Sequence, residues 1–143
     1  TKLGEVVFWK IAMKPGRPLA YGKVGGAHFF GLPGNPVSVM VTFYQFVRDA
    51  LQVLMGRENV LPVPVLKAMC TSELKKAPGR TEFQRGIITQ NKTGAWEVRV
   101  TGDQGSGILR SMSDANCSII PDDQTGNVAP GAEVEVQVME GVV

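Results

Sequence analysis

Histidine is nearly absent from this 143-residue chain, where His28 stands alone. A zinc centre usually draws several His or Cys ligands, and the two cysteines, Cys70 and Cys117, form no CxxC-type pair. That leaves His28, in the apolar stretch Ala27-His28-Phe29-Phe30, as a structural or packed side chain. It leaves the cysteines as reduced, partly buried thiols of a cytosolic protein. No GxSxG elbow occurs, so a serine hydrolase lacks its nucleophile as well as a choice of base. The GK[ST] ending of a phosphate loop and the dinucleotide GxGxxG are also missing, which argues against a generic nucleotide-binding protein. No apolar run approaches the roughly 18 to 20 residues that span a bilayer. The start, Thr1-Lys2-Leu3-Gly4-Glu5, has neither a signal peptide's apolar core nor an initiator methionine. Because it leads straight into strand-like Val6-Val7-Phe8, the chain is expected to be a fragment of a longer protein.

Acidic residues are missing from one long window. Between Val6 and Arg48 there is no Asp or Glu, while Lys10, Lys14, Arg17, Lys23 and Arg48 all fall there. The net charge of +2 is too small to suggest nucleic acid. A local acid-free stretch raises a positive potential and favours an anionic ligand, although a solvated basic face gives the same pattern.

What is present divides into two halves. Up to about Leu61 the chain mixes strands with a helix. Leu19 to Val24 and Ala27 to Leu32 flank Gly25-Gly26, a good two-residue hairpin turn. Asn35 then suits an N-cap and Pro36 the first helical position. Apolar residues recur at helical spacing from Val37 through Val41, Tyr44, Val47 and Leu51 to Leu54, and Gly56 is a natural stop. With so few polar interruptions the helix is expected to be buried on more than one side. Leu61-Pro62-Val63-Pro64 reads as a linker, which sets domains at 1–61 and 62–143. Beyond it everything reads as β. Strands are predicted at Val65 to Thr71, Glu82 to Thr89, Trp96 to Thr101, Asn116 to Ile120 and Val134 to Val138, a small barrel or sandwich. The fold class is therefore α/β followed by all-β.

Four places could carry chemistry. The turn Gly31-Leu32-Pro33-Gly34-Asn35-Pro36 leads into the helix, whose free N–H groups and dipole attract oxyanions. Lys10 and Lys14 are four apart, which puts them on one side of either a helix or a strand. Arg80 and Arg85 lie close together and suit bidentate oxyanion contact, with a plain solvated pair as the alternative. Thr101-Gly102-Asp103-Gln104-Gly105-Ser106-Gly107 could form an anion nest or an ordinary turn. Ser111, Ser113 and Asn116 follow in what reads as a second polar loop.

These motifs, taken in order, resemble a known family. Phe8-Trp9-Lys10-Ile11-Ala12-Met13-Lys14-Pro15-Gly16-Arg17-Pro18 and Gly31-Leu32-Pro33-Gly34-Asn35-Pro36-Val37-Ser38 resemble molybdopterin molybdenumtransferases of the bacterial MoeA type. Pro78-Gly79-Arg80, Phe83-Gln84-Arg85-Gly86, Gln104-Gly105-Ser106 and Ala115-Asn116-Cys117 resemble the same family. The resemblance implies the end of a molybdopterin-binding α/β domain followed by a C-terminal β-barrel domain. It implies an enzyme that takes adenylylated molybdopterin and molybdate, inserts molybdenum and releases AMP with Mg²⁺ assisting. By position, Lys10 and Lys14 match the family's active-site lysines. Pro33, Gly34, Asn35, Pro36 and, more weakly, Ser38 match its turn at the cleft. Arg85 and Ser106 match barrel residues associated with molybdate. The resemblance further implies a cytoplasmic homodimer working with a molybdopterin adenylyltransferase, with no nucleic acid and no membrane as partner. The carboxylates that would hold Mg²⁺ are expected upstream of this chain, which would leave it inactive or a weak anion binder by itself. The rival is a binding or scaffold module, since the related animal protein gephyrin holds receptor tails on its equivalent barrel.

Overall fold

The computed structural model describes residues 4–105 and 109–139. The chain divides into two compact units, Thr1–Leu61 and Pro62–Val143.

In the first unit, β1 (Gly4–Lys10), β3 (Pro18–Val24) and β4 (Ala27–Gly31) form an antiparallel sheet in the order β1-β3-β4. The β3–β4 hairpin turns at Gly25-Gly26, so that Val24 faces Ala27. Between β1 and β3 lies a loop containing β2, the two residues Met13–Lys14. The helix then begins as predicted: Pro36 takes the first position and the Asn35 side chain accepts from the Val37 and Ser38 amides at 3.2 and 3.4 Å. It is not uniform, however. α1 (Pro36–Thr42) passes through a π-helical turn, Phe43–Val47, into α2 (Arg48–Leu54). The Arg48 amide reaches back five residues to the Phe43 carbonyl there. Gly56, at φ 87°, follows the cap residue Met55. The Gly56 amide donates to Val53 O and the Arg57 amide to Gln52 O, a Schellman closure that needs the left-handed residue.

The expectation that this helix is buried on more than one side fails in its last turns. Val37, Val41, Thr42 and Val47 are buried, but Leu51, Val53, Leu54 and Met55 are exposed. Within this unit the apolar ring of the helix outruns the surface available to cover it.

The second unit is a closed barrel in the order β10-β5-β8-β7-β9. Its strands are β5 (Val65–Cys70), β7 (Gln84–Gln90), β8 (Trp96–Val100), β9 (Cys117–Ile120) and β10 (Glu133–Val138), one at each of the five predicted places, with a short β6 (Thr81–Glu82) beside them. All pairings are antiparallel except β5 with β8. Side chains alternate as the pleat requires: Val134 and Val136 point into a core with Ala68, Ile88, Val98 and Ile119, while Glu133 and Glu135 face out. Cys70 and Cys117 are fully buried free thiols in that core. One element contradicts the all-β reading. Leu109–Asp114 forms a short helix, α3, so Ser111 and Ser113 lie on a helix and not in a polar loop.

Candidate functional site

The two lysines do not share a regular element. β1 ends at Lys10, the chain breaks at Ile11 and Ala12, and Lys14 lies in β2. Spacing alone therefore does not put them on one side. The loop itself is well defined, because Lys10 pairs with Pro18 and the Ile11 amide donates to Arg17 O at 2.8 Å. Both lysines are exposed, between buried Met13 and buried Pro15 and Gly16. The Lys14–Pro15 bond is cis.

Gly16 ties this loop to the second motif. It has φ 97°, and a Cβ placed on it would lie 2.5 Å from Thr42 Oγ1 and 3.5 Å from Ser38 O. Only a glycine lets the lysine loop settle on the first turns of α1. The Thr42 hydroxyl in turn donates to Ser38 O at 2.5 Å. The structure thus brings Lys10 and Lys14 onto the same substructure as the turn Pro33-Gly34-Asn35-Pro36 and Ser38. Gly34 and Pro36 are exposed, Pro33 and Asn35 half-buried, and Ser38 buried. Two amides that could have met an anion, those of Val37 and Ser38, already bond to the Asn35 side chain. The attraction for an anion in this unit therefore rests mainly on the lysines.

In the barrel, Arg80 and Arg85 are not a pair. Arg80 is exposed, whereas Arg85 is 1% exposed. The Arg85 Nε donates to Ser111 Oγ at 2.7 Å, and Nη2 donates to the carbonyls of Asp103 at 3.2 Å and Gly105 at 3.1 Å. Burial lowers its pKa from the ordinary arginine value, and the nearby Asp103 carboxylate partly restores it; arginine stays charged regardless. Around it the loop 102–105 is held by Gln104 and by Gly105, whose amide donates to Asp103 Oδ1 at 2.9 Å. Ser106 lies outside the described residues.

Sequence reasoning missed two residues. Ser111 carries the Arg85 side chain and is itself buried. Lys76 is also buried, its Nζ donating to the carbonyls of Ala77, Asp123 and Thr125 at 3.2 to 3.3 Å. Neither stands out, because one is a serine among turn residues and the other half of a Lys75-Lys76 pair that looks solvated. His28 is exposed, yet its ring stacks on Tyr21 with centroids 6.0 Å apart and its Nδ1 lies 2.8 Å from the Tyr21 hydroxyl, a structural side chain on the sheet surface.

Mg²⁺ takes carboxylate and water oxygens. Among the described residues no group of three or more His, Cys, Asp or Glu side chains is placed to hold a metal, so the residues here do not fit that ion. Among them, too, no helix is long and apolar enough to cross a membrane.

Residues 67–139 match the family described as MoeA C-terminal region (domain IV), and residues 1–53 match the family described as probable molybdopterin binding domain. A molybdopterin molybdenumtransferase of Haemophilus influenzae is 46% identical over 136 residues, 95% of this chain and 34% of that protein. Molybdopterin molybdenumtransferase 2 of Mycobacterium tuberculosis is 37% identical over 132 residues, 92% of this chain and 31% of its own length. The crystal structure of a molybdopterin biosynthesis moeA protein from Pyrococcus horikoshii is similar with a TM-score of 0.70 at 29% identity, covering 94% of this chain and 32% of that one. The chain thus spans about a third of the length of the curated relatives it matches.

Proposed function

Since the chain belongs to the MoeA family, we propose that it supplies part of an enzyme that inserts molybdenum from molybdate into adenylylated molybdopterin and releases AMP. The observation that carries this reading is the seating of the Lys10–Lys14 loop, through Gly16, on the helix that starts at Pro33-Gly34-Asn35-Pro36. Molybdate is a dianion and the pterin carries phosphate, so two exposed ammonium groups on a rigid turn hold and offset negative charge while ligands exchange. Their contribution is positioning and electrostatics. Arg85 adds a third cation in the barrel, with Ser106 its companion in this reading. The metal-assisted step finds no group of three or more His, Cys, Asp or Glu side chains placed to hold a metal among the described residues, so the 143-residue chain alone is expected to be inactive. The working form is a cytoplasmic homodimer that receives its substrate from a molybdopterin adenylyltransferase.

The test measures molybdate-dependent AMP release by the 143-residue chain and by a chimera in which it replaces the matching segment of the Haemophilus influenzae relative. Turnover in the chimera alone, lowered by roughly 100-fold or more in Lys10→Ala or Lys14→Ala, supports the reading. Unchanged turnover in both variants sinks it, and robust AMP release by the 143-residue chain sinks the claim that it is only a part.

A second reading has one observation in its favour. The barrel carries a groove of about 740 Å³ lined by apolar residues that include Ile120, Pro121 and Val128, by the acidic Asp122, Asp123, Glu133 and Glu135, and by one cation, Lys67. A lining that is apolar in part and carries more carboxylates than cations suits a protein segment with a hydrophobic anchor and basic flanks. A scaffold of this kind keeps its partner when both lysines are replaced by alanine.

A further inference from the structure

The loop that carries Lys14 is fastened on both sides of it. Met13, Pro15 and Gly16 are buried, and Lys14 alone among residues 13–16 is exposed. Gly16 rests on Thr42, a fully buried residue at the last position of α1. A Cβ at position 16 would lie 2.5 Å from Thr42 Oγ1 and 3.3 Å from Met13 Cε, so the three residues form one packed node. The atom of Thr42 that meets the loop is its hydroxyl oxygen. In a helix threonine divides between two rotamers, because its hydroxyl can bond a carbonyl one turn back. The Thr42 hydroxyl donates to Ser38 O at 2.5 Å, and that bond holds Oγ1 in the place beneath Gly16. An oxygen is smaller than a methyl group, so the loop lies closer to α1 than it could over a valine. Lys10 is fastened differently. It ends β1 and pairs with Pro18 on β3, so the sheet, not Thr42, sets its place.

We propose that Thr42 is a positioning residue for Lys14: its hydroxyl, pinned on Ser38 O, sets how closely the loop 13–16 seats on α1 and so where the Lys14 ammonium meets the anionic substrate. This rests on the functional reading above and adds a residue that acts through Lys14 and not on the substrate. Small displacements matter here, since a misplacement of about 1 Å in a catalytic site can cost on the order of 100-fold in rate.

Double-mutant cycles test this, because a residue that acts through Lys14 has nothing left to act on once Lys14 is gone. Molybdate-dependent AMP release is measured in the chimera for Thr42→Val, which keeps the shape and removes the hydroxyl. It is measured also for Lys14→Ala and Lys10→Ala, each with and without Thr42→Val. By itself Thr42→Val is expected to lower turnover roughly 10-fold. In the Lys14→Ala background the same change is expected to cost less than about twofold, and in the Lys10→Ala background to keep its roughly 10-fold effect. Thr42→Ser retains the hydroxyl and its bond, and is expected to recover most of the turnover. Equal losses in the two lysine backgrounds overturn the proposal, since a loosened helix would act on both alike. A Thr42→Val chimera as active as its parent overturns it too. If Thr42→Val does not fold, Thr42→Ala takes its place in the same cycles and the same outcomes decide. Full turnover in Lys14→Ala, or none in the chimera itself, sinks the functional reading and this proposal with it. Multiplying losses beside an impaired Lys14→Ala sink this proposal alone.

Discussion

Gln104 clasps the main chain of Arg85 from both sides: its Oε1 accepts from the Arg85 amide at 2.7 Å and its Nε2 donates to the Arg85 carbonyl at 3.1 Å. A side-chain amide here completes the edge of β7 as a neighbouring strand would, and it fixes the loop above Arg85. Gln104→Ala removes both bonds and leaves the Arg85 amide without its acceptor, while the Arg85 carbonyl keeps the Thr101 amide and hydroxyl. The expected cost is about 1 to 3 kcal/mol, read as a lower urea midpoint with an unchanged slope. A midpoint equal to that of the natural chain would show the clasp to be dispensable.

Asn35 caps the helix through two amides. Asn35→Ala is expected to destabilise the first unit by about 1 kcal/mol, and Asn35→Asp to restore most of it, because aspartate caps as well. Circular dichroism during thermal unfolding separates the two outcomes.

Much of the fold was legible because local chemistry and packing agree. Asn35, Pro36 and Gly56 mark the helix ends that the structure has, and the strict alternation of Glu133-Val134-Glu135-Val136 names both a strand and its inner face. What escaped depends on which neighbour a residue meets. Arg80 and Arg85 look alike in sequence, and only the register that sets Arg85 opposite Ser118 on β9 and beneath α3 buries one of them. α3 itself, Leu109-Arg110-Ser111-Met112-Ser113-Asp114, is too short for a periodic signal, and its serines read as turn residues. The candidate site was legible as a set of residue types in order. That Gly16 joins the lysine loop to α1 depends on a close approach that spacing cannot show.

Lys76 holds three carbonyls of its own and the 122–127 segment, two of them nearly fifty residues away in sequence. Lys76→Met keeps the stem's volume and removes the donors. Hydrogen exchange in residues 122–127 is expected to quicken there, while the amides of Val134 and Val136 keep their protection. Uniform loss of protection across the barrel would mean that Lys76 supports the whole core.

Burial pushes the Cys117 thiol up from 9.0 to about 12. The folded state therefore holds this proton more tightly than the unfolded chain does. Its contribution to stability is fully present below pH 9 and lost as pH rises from about 9 toward 12. At neutral pH the thiol is protonated and covered, so iodoacetamide is expected to label Cys117 only after denaturation. Rapid labelling of the native chain would contradict this.

The place of β10 has a consequence for how the protein is made. This last strand forms two of the barrel's seams, one with β5 and one with β9. A ribosome that has delivered everything up to Ile120 has released four strands that cannot yet close, with β5 and β9 each presenting an open edge. The barrel is thus completed only after Val138 has emerged, and any pause in translation before that point lengthens the time in which a chaperone, or another unfinished chain, can pair with those edges.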